Sequence, residues 1–75
     1  MKKFAVIYEA RNTIYDEIFD TEEKAVAYAQ MEWEHMTKHE QEECVWFEVV
    51  ETEIDNEGLY IFESFKTIKV YKKTW

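Results

Sequence analysis

Two runs of β-branched and aromatic residues, 3–9 (Lys-Phe-Ala-Val-Ile-Tyr-Glu) and 14–20 (Ile-Tyr-Asp-Glu-Ile-Phe-Asp), flank Arg11-Asn12. Asn tolerates positive φ, so this dipeptide suits a tight turn and the two runs read as a β-hairpin. A two-residue turn sets the register. Tyr8 opposes Tyr15 and Phe4 opposes Phe19 on one face, while Ala5 and Ile7 share the other with Ile14 and Ile18. Both faces are then apolar, and the chain must cover two sides of a sheet. No other sequence feature limits the fold as much.

The hairpin is followed by Asp20-Thr21-Glu22-Glu23, a capping oxygen and then acidic residues suited to the positive end of a helix dipole. Val26, Ala29, Trp33 and Met36, with Ala25 beside them, recur at three- and four-residue spacing and form one core-facing stripe; Glu23, Lys24, Gln30 and Glu34 lie off it. Thr37-Lys38-His39-Glu40 has capping-box spacing, which breaks the helix at Thr37 and predicts a short turn. Residues 44–54 read as a long strand and Asp55-Asn56-Glu57-Gly58 as a turn. A second strand over 59–71 is bent or bulged near Ser64, where its alternation slips. The expected fold is α+β: a four-stranded antiparallel sheet in the order ββαββ, with one main helix on one face. A right-handed crossover that skips the first strand gives the spatial order 2-1-3-4. The last strand then lies at an edge, where Lys66, Lys69, Lys72 and Lys73 discourage pairing with another sheet.

Seventy-five residues make a single domain, 1–75, with no room for a second core. A chain of that length buries only about 60–65% of its unfolded surface and needs many large apolar side chains or a partner. Hydrophobic residues are 47% of the chain and aromatics 17%, too many for a disordered segment. A helix of about 16 residues, ~24 Å long, covers one face of a four-stranded sheet and leaves the other partly apolar. That face is expected to meet a protein partner or a second copy, unless sheet twist, residues 37–43 and the tail with Trp75 close it internally.

Charge narrows the choice of partner. Seventeen Asp and Glu against nine Lys and Arg give a net charge of −8, which repels nucleic-acid backbones and anionic membranes and favours a basic protein. Residues 40–63 hold nine acidic residues and no Lys or Arg, whereas 65–75 hold four Lys and no acid. Such a run either presents negative charge to a basic groove or keeps a small domain soluble. Combined with the aromatics, it makes Tyr8, Tyr15, Trp46, Glu48, Glu51, Glu53 and Tyr60 the candidate partner-binding residues.

Chemical motifs are weak. Cys44 is the only cysteine, which excludes an intrachain disulfide and fits a reducing, cytoplasmic setting. Glu9 and Arg11 interrupt the first apolar run before it resembles a signal segment, and no run is long enough to span a membrane. With no proline and one glycine, Gly58, there is no phosphate-cradling loop. His35 and His39 are spaced i, i+4, but the break at Thr37 separates them, and a structural zinc site needs four ligands. Glu32 with His35 has the spacing of a di-iron helix motif, but such sites need several helices. Acidic neighbours disfavour a Cys44 thiolate. No catalytic residue, metal or cofactor is expected.

The segment 20–43, Asp-Thr-Glu-Glu-Lys-Ala followed by Trp33-Glu-His35-Met-Thr37-Lys and Glu40, leads into the strand Phe-Glu-Val-Val. It resembles a group of short uncharacterised proteins of phages, plasmids and integrated elements of Gram-positive bacteria. Lys24 and the acidic residues after Glu40 depart from that pattern. The resemblance implies a cytoplasmic accessory protein of a mobile element, a setting in which small acidic proteins block host enzymes or defence systems. It implies no catalytic residues; Trp33 is a core anchor, His35 a helix end and Thr37 a cap. The expectation is a small, acidic, non-enzymatic protein-binding module, an inhibitor of a host nucleic-acid-handling or defence protein, with a structural homodimer as the alternative.

Overall fold

Arg11 (φ 53°) and Asn12 (φ 64°) both occupy the left-handed region, which makes the first turn type I′ and matches the right-handed twist of the strands it joins. The computed structural model describes residues 2–75, apart from the side chains of Tyr60, Phe62 and Glu63. The turn links β1 (Lys2–Ala10) to β2 (Thr13–Phe19), with Tyr8 opposite Tyr15 and Phe4 opposite Phe19.

Helix α1 (Glu22–His35) starts where the Thr21 hydroxyl accepts the Lys24 amide at 3.2 Å, with Glu22 and Glu23 in its first turn. It ends at Met36, whose amide donates to the carbonyls of Glu32 and Trp33. The expected short turn over 37–43 is instead a second helix, α2 (Lys38–Glu43). Thr37 Oγ1 accepts the Glu40 amide and Glu40 Oε1 accepts the Thr37 amide, both at 3.1 Å, so the box that stops one helix also nucleates the next. Gln41 Nε2 donates to the Trp33 carbonyl at 2.9 Å and ties α2 to the end of α1.

Strands β3 (Cys44–Ile54) and β4 (Tyr60–Lys73) follow, joined by a turn at Asp55. Asp55 Oδ1 accepts the amides of Glu57 and Leu59, both at 2.9 Å, and Gly58 takes the positive φ of 81°. All pairings are antiparallel and the strand order is β2-β1-β3-β4. The irregularity expected near Ser64 lies between the pairs Glu51–Lys66 and Glu53–Ile61, where β4 carries extra residues. Ser64 Oγ accepts the Glu53 amide at 2.8 Å and donates to the Ile61 carbonyl, supplying partners to backbone groups the bulge displaces. No described helix is long and apolar enough to cross a membrane.

On one face, α1 lays buried Ala25 and Ala29 against Val6, Phe47 and Val49, and these small residues let the helix approach the sheet closely. Trp33, Tyr71 and Tyr8 surround Phe47 with ring centroids 5.6, 5.3 and 5.7 Å away. Gln30, off the apolar stripe, still reaches across to accept from the Tyr71 hydroxyl at 2.9 Å.

The face opposite α1 is not left open as a single apolar surface. Ala5, Ile7 and Val50 are buried there without a helix, packed by half-buried Trp46 and Phe65. Glu48, expected as an exposed contact, is 1% exposed. It sits in register with Ile7 and Val70 and accepts from the Trp46 indole at 2.7 Å, Lys73 at 3.1 Å and the Thr67 hydroxyl. The Trp75 ring stands edge-on to Trp46 at 5.2 Å, adding the tail as cover. Small Ala5 and the bulged β4 let the molecule's own side chains cover the centre of this side, while Ile14, Ile18 and Val70 stay exposed at its flanks, so the face is partly apolar as expected.

Candidate functional site

The helices cover the middle of the sheet and leave β2 overhanging. Between that overhang and the α1–α2 corner lies a groove of about 800 Å³. Its floor is Val6, Tyr8 and Phe47; one wall is Arg11, Thr13 and the β2 residues through Glu17; the other is Tyr28, Glu32 and Met36 of α1 with Glu40 and Glu43 of α2. Each position follows from local structure. Tyr8, Tyr15 and Glu17 share the helix-facing side through the hairpin register, and Tyr28 and Glu32 fall together at i, i+4 on the flank of the core stripe. The capping box turns the chain so that Glu40 and Glu43 face the hairpin end.

Four carboxylates, Glu17, Glu32, Glu40 and Glu43, line the groove against the guanidinium of Arg11; Asp16 lines it at the β2 edge, on the opposite face of the strand from Glu17. Arg11 already pairs with Glu43, Nη2 to Oε2 at 2.6 Å, and that contact holds the Glu43 carboxyl below its ordinary range. His39 Nε2 lies 2.9 Å from the other Glu43 oxygen. Burial pushes the Tyr8 hydroxyl upward, reinforced by nearby negative charge, and burial followed by the charges of Glu32 and Glu17 does the same to Tyr28. Both tyrosines therefore remain neutral hydrogen-bonding groups at physiological pH. The Tyr8 and Tyr15 rings are tilted by 35° with their centroids 5.7 Å apart. Carboxylates and aromatic rings lining one groove attract and orient a cationic side chain through Coulomb and cation–π terms together.

The residues singled out from sequence are not one surface. Tyr8 and Tyr15 belong to the groove, Tyr8 half-buried in its floor and Tyr15 exposed at its rim. Trp46 and Glu48 lie on the other face of the sheet, both engaged internally, so neither is the free contact expected. Glu51 is half-buried near Lys2 at 3.9 Å, and Glu53 is half-buried beside the Ser64 bulge. Tyr60 falls outside the described side chains. The acidic run is likewise dispersed: Glu40 caps α2, Glu48 is interior and Asp55 holds a turn. The groove instead gains Asp16, Glu17 and Glu32 from outside that run, residues sequence reading did not select. Their available signals were the hairpin register for Glu17 and the i, i+4 spacing of Tyr28 with Glu32.

The reactive side chains have structural surroundings. Cys44 is fully buried, burial pushes its thiol pKa upward, and Sγ contacts the Trp46 carbonyl at 3.3 Å. His35 Nδ1 lies 2.7 Å from the Met31 carbonyl, within its own helix. Among the described residues, no three His, Cys, Asp or Glu side chains are grouped to hold a metal ion. No protein-family model, curated protein or solved structure matches the chain.

Proposed function

We propose that this protein is a non-enzymatic binding module that takes a basic segment of a protein partner into the groove beside β2. One observation carries the reading: four carboxylates, Glu17, Glu32, Glu40 and Glu43, line a tyrosine-lined concavity in which the only cation among the described lining residues, Arg11, is already paired. Net charge of −8 supports it, because the field of the whole molecule attracts basic partners and repels phosphate backbones. The resemblance of residues 20–43 to short proteins of mobile elements adds a setting, a cytoplasmic accessory protein whose target is a host nucleic-acid-handling or defence protein with a basic surface. Occupying that surface would inhibit such a target by competition for its anionic ligand.

Titration calorimetry with lysine-rich peptides tests the reading. Binding is expected at low salt, weakening as ionic strength rises, and about 5-fold weaker in the double variant Glu17→Gln/Glu32→Gln. Affinity that is unchanged in the variant, or no heat at any salt concentration, rules the groove out.

A further inference from the structure

We infer that the partner binds as an added β-strand: an extended segment of alternating basic and apolar residues that pairs with the free edge of β2. This deepens the groove reading and rests on it. The two-residue type I′ turn makes Ala10 and Thr13 a hydrogen-bonded pair, and alternation then makes Tyr8–Tyr15 and Val6–Glu17 hydrogen-bonded pairs as well. The amides and carbonyls of Ile14, Asp16 and Ile18 consequently point away from β1, along the outer edge of the sheet. Among the described residues no element covers that edge, and Ile14 is 61% and Ile18 44% exposed beside it.

Charge selects the occupant. Asp16 and Glu17 lie at the middle of β2, on opposite faces, and neither has an ion-pair partner among the described residues. A second copy docking through β2 in the antiparallel, two-fold sense, centred on Asp16 or on Glu17, would set that carboxylate against its own equivalent, which disfavours it. A strand with Lys or Arg on the groove face meets Glu17 and looks across to Glu32 of α1. Apolar residues on its other face extend Ile14 and Ile18. The groove already wraps the edge, since Ile14 and Asp16 line it together with Tyr15 and Glu17. The opposite edge, β4, lacks this character: Lys69 donates to Gln30, Lys72 to the carbonyls of Gln41 and Glu42, and Lys73 to Glu48.

The test uses the whole chain and a seven-residue peptide alternating Val and Lys, with two N-methylated forms, one methylated at every Val and one at every Lys. An added strand turns only one alternate set of its amides toward β2, so one methylated peptide should bind about 10-fold or more weakly while the other is spared. Amide hydrogen exchange at Ile14, Asp16 and Ile18 should slow on binding of the unmethylated peptide. Equal affinity of the three peptides, with no protection at these amides and weakening by Glu17→Gln/Glu32→Gln, overturns strand addition and leaves the groove reading standing. Absence of binding by all three overturns both. Protection of the same amides without peptide, alongside a dimer mass in light scattering, assigns the edge to a second copy and also overturns the proposal.

Discussion

Glu48 is an interior carboxylate, with the Trp46 indole, the Thr67 hydroxyl and Lys73 around its oxygens. Burial alone would raise its pKa, but hydrogen bonds from Thr67, Trp46 and Lys73, together with the Lys73 charge, hold it below the ordinary carboxylate range. A carboxyl whose folded pKa is depressed binds more protons when unfolded. Its contribution is therefore complete above the unfolded value of about 4.3 and is lost as pH falls through the folded value. The variant Glu48→Gln should unfold about 1–3 kcal/mol more easily at pH 7, and the difference from the natural chain should shrink toward pH 3, measured by urea titration at both pH values. A pH-independent difference would mean that shape, not charge, holds Glu48 in place.

At the scale of elements, the turns were the most legible parts. Asn12 signalled a left-handed position and has φ 64°; Gly58 signalled another and has φ 81°. Asn12→Val, which sets a β-branched side chain in that region, should lower the urea-unfolding free energy by about 1–2 kcal/mol, whereas Asn12→Gly should stay within about 0.5 kcal/mol. Equal effects would show that the turn relaxes out of type I′. The helix stripe was also legible because 3.6-residue periodicity is a local property. The helix α2 was not, since six residues lack the length for a periodic signal, and its start was visible only as a cap that served equally well as a stop for α1. The Ser64 slip in alternation located the bulge but not its depth, which depends on which β3 residues it faces.

At the scale of the molecule, a net charge of −8 on a small domain is self-repelling. Raising NaCl from about 20 mM to about 500 mM shortens the Debye length from tens of ångströms to a few and should raise the thermal midpoint, as followed by circular dichroism. A falling midpoint would mean that the attractive pairs, such as Arg11–Glu43 and Lys3–Asp20, outweigh the long-range repulsion. The sequence by itself determined the α+β class, the hairpin with its register, the helix with its buried stripe and the strand order, because each follows from short-range periodicity, turn chemistry and crossover handedness. It did not determine which side chains share a surface. Two strands apolar on both faces leave open whether the second face is closed from within, and the bulged β4 with Trp46, Phe65 and Trp75 closes much of it. The acidic groove was likewise decided only by tertiary structure: its carboxylates come from β2, α1 and α2, and no sequence spacing measures the distance between elements that meet only once the sheet and helices pack.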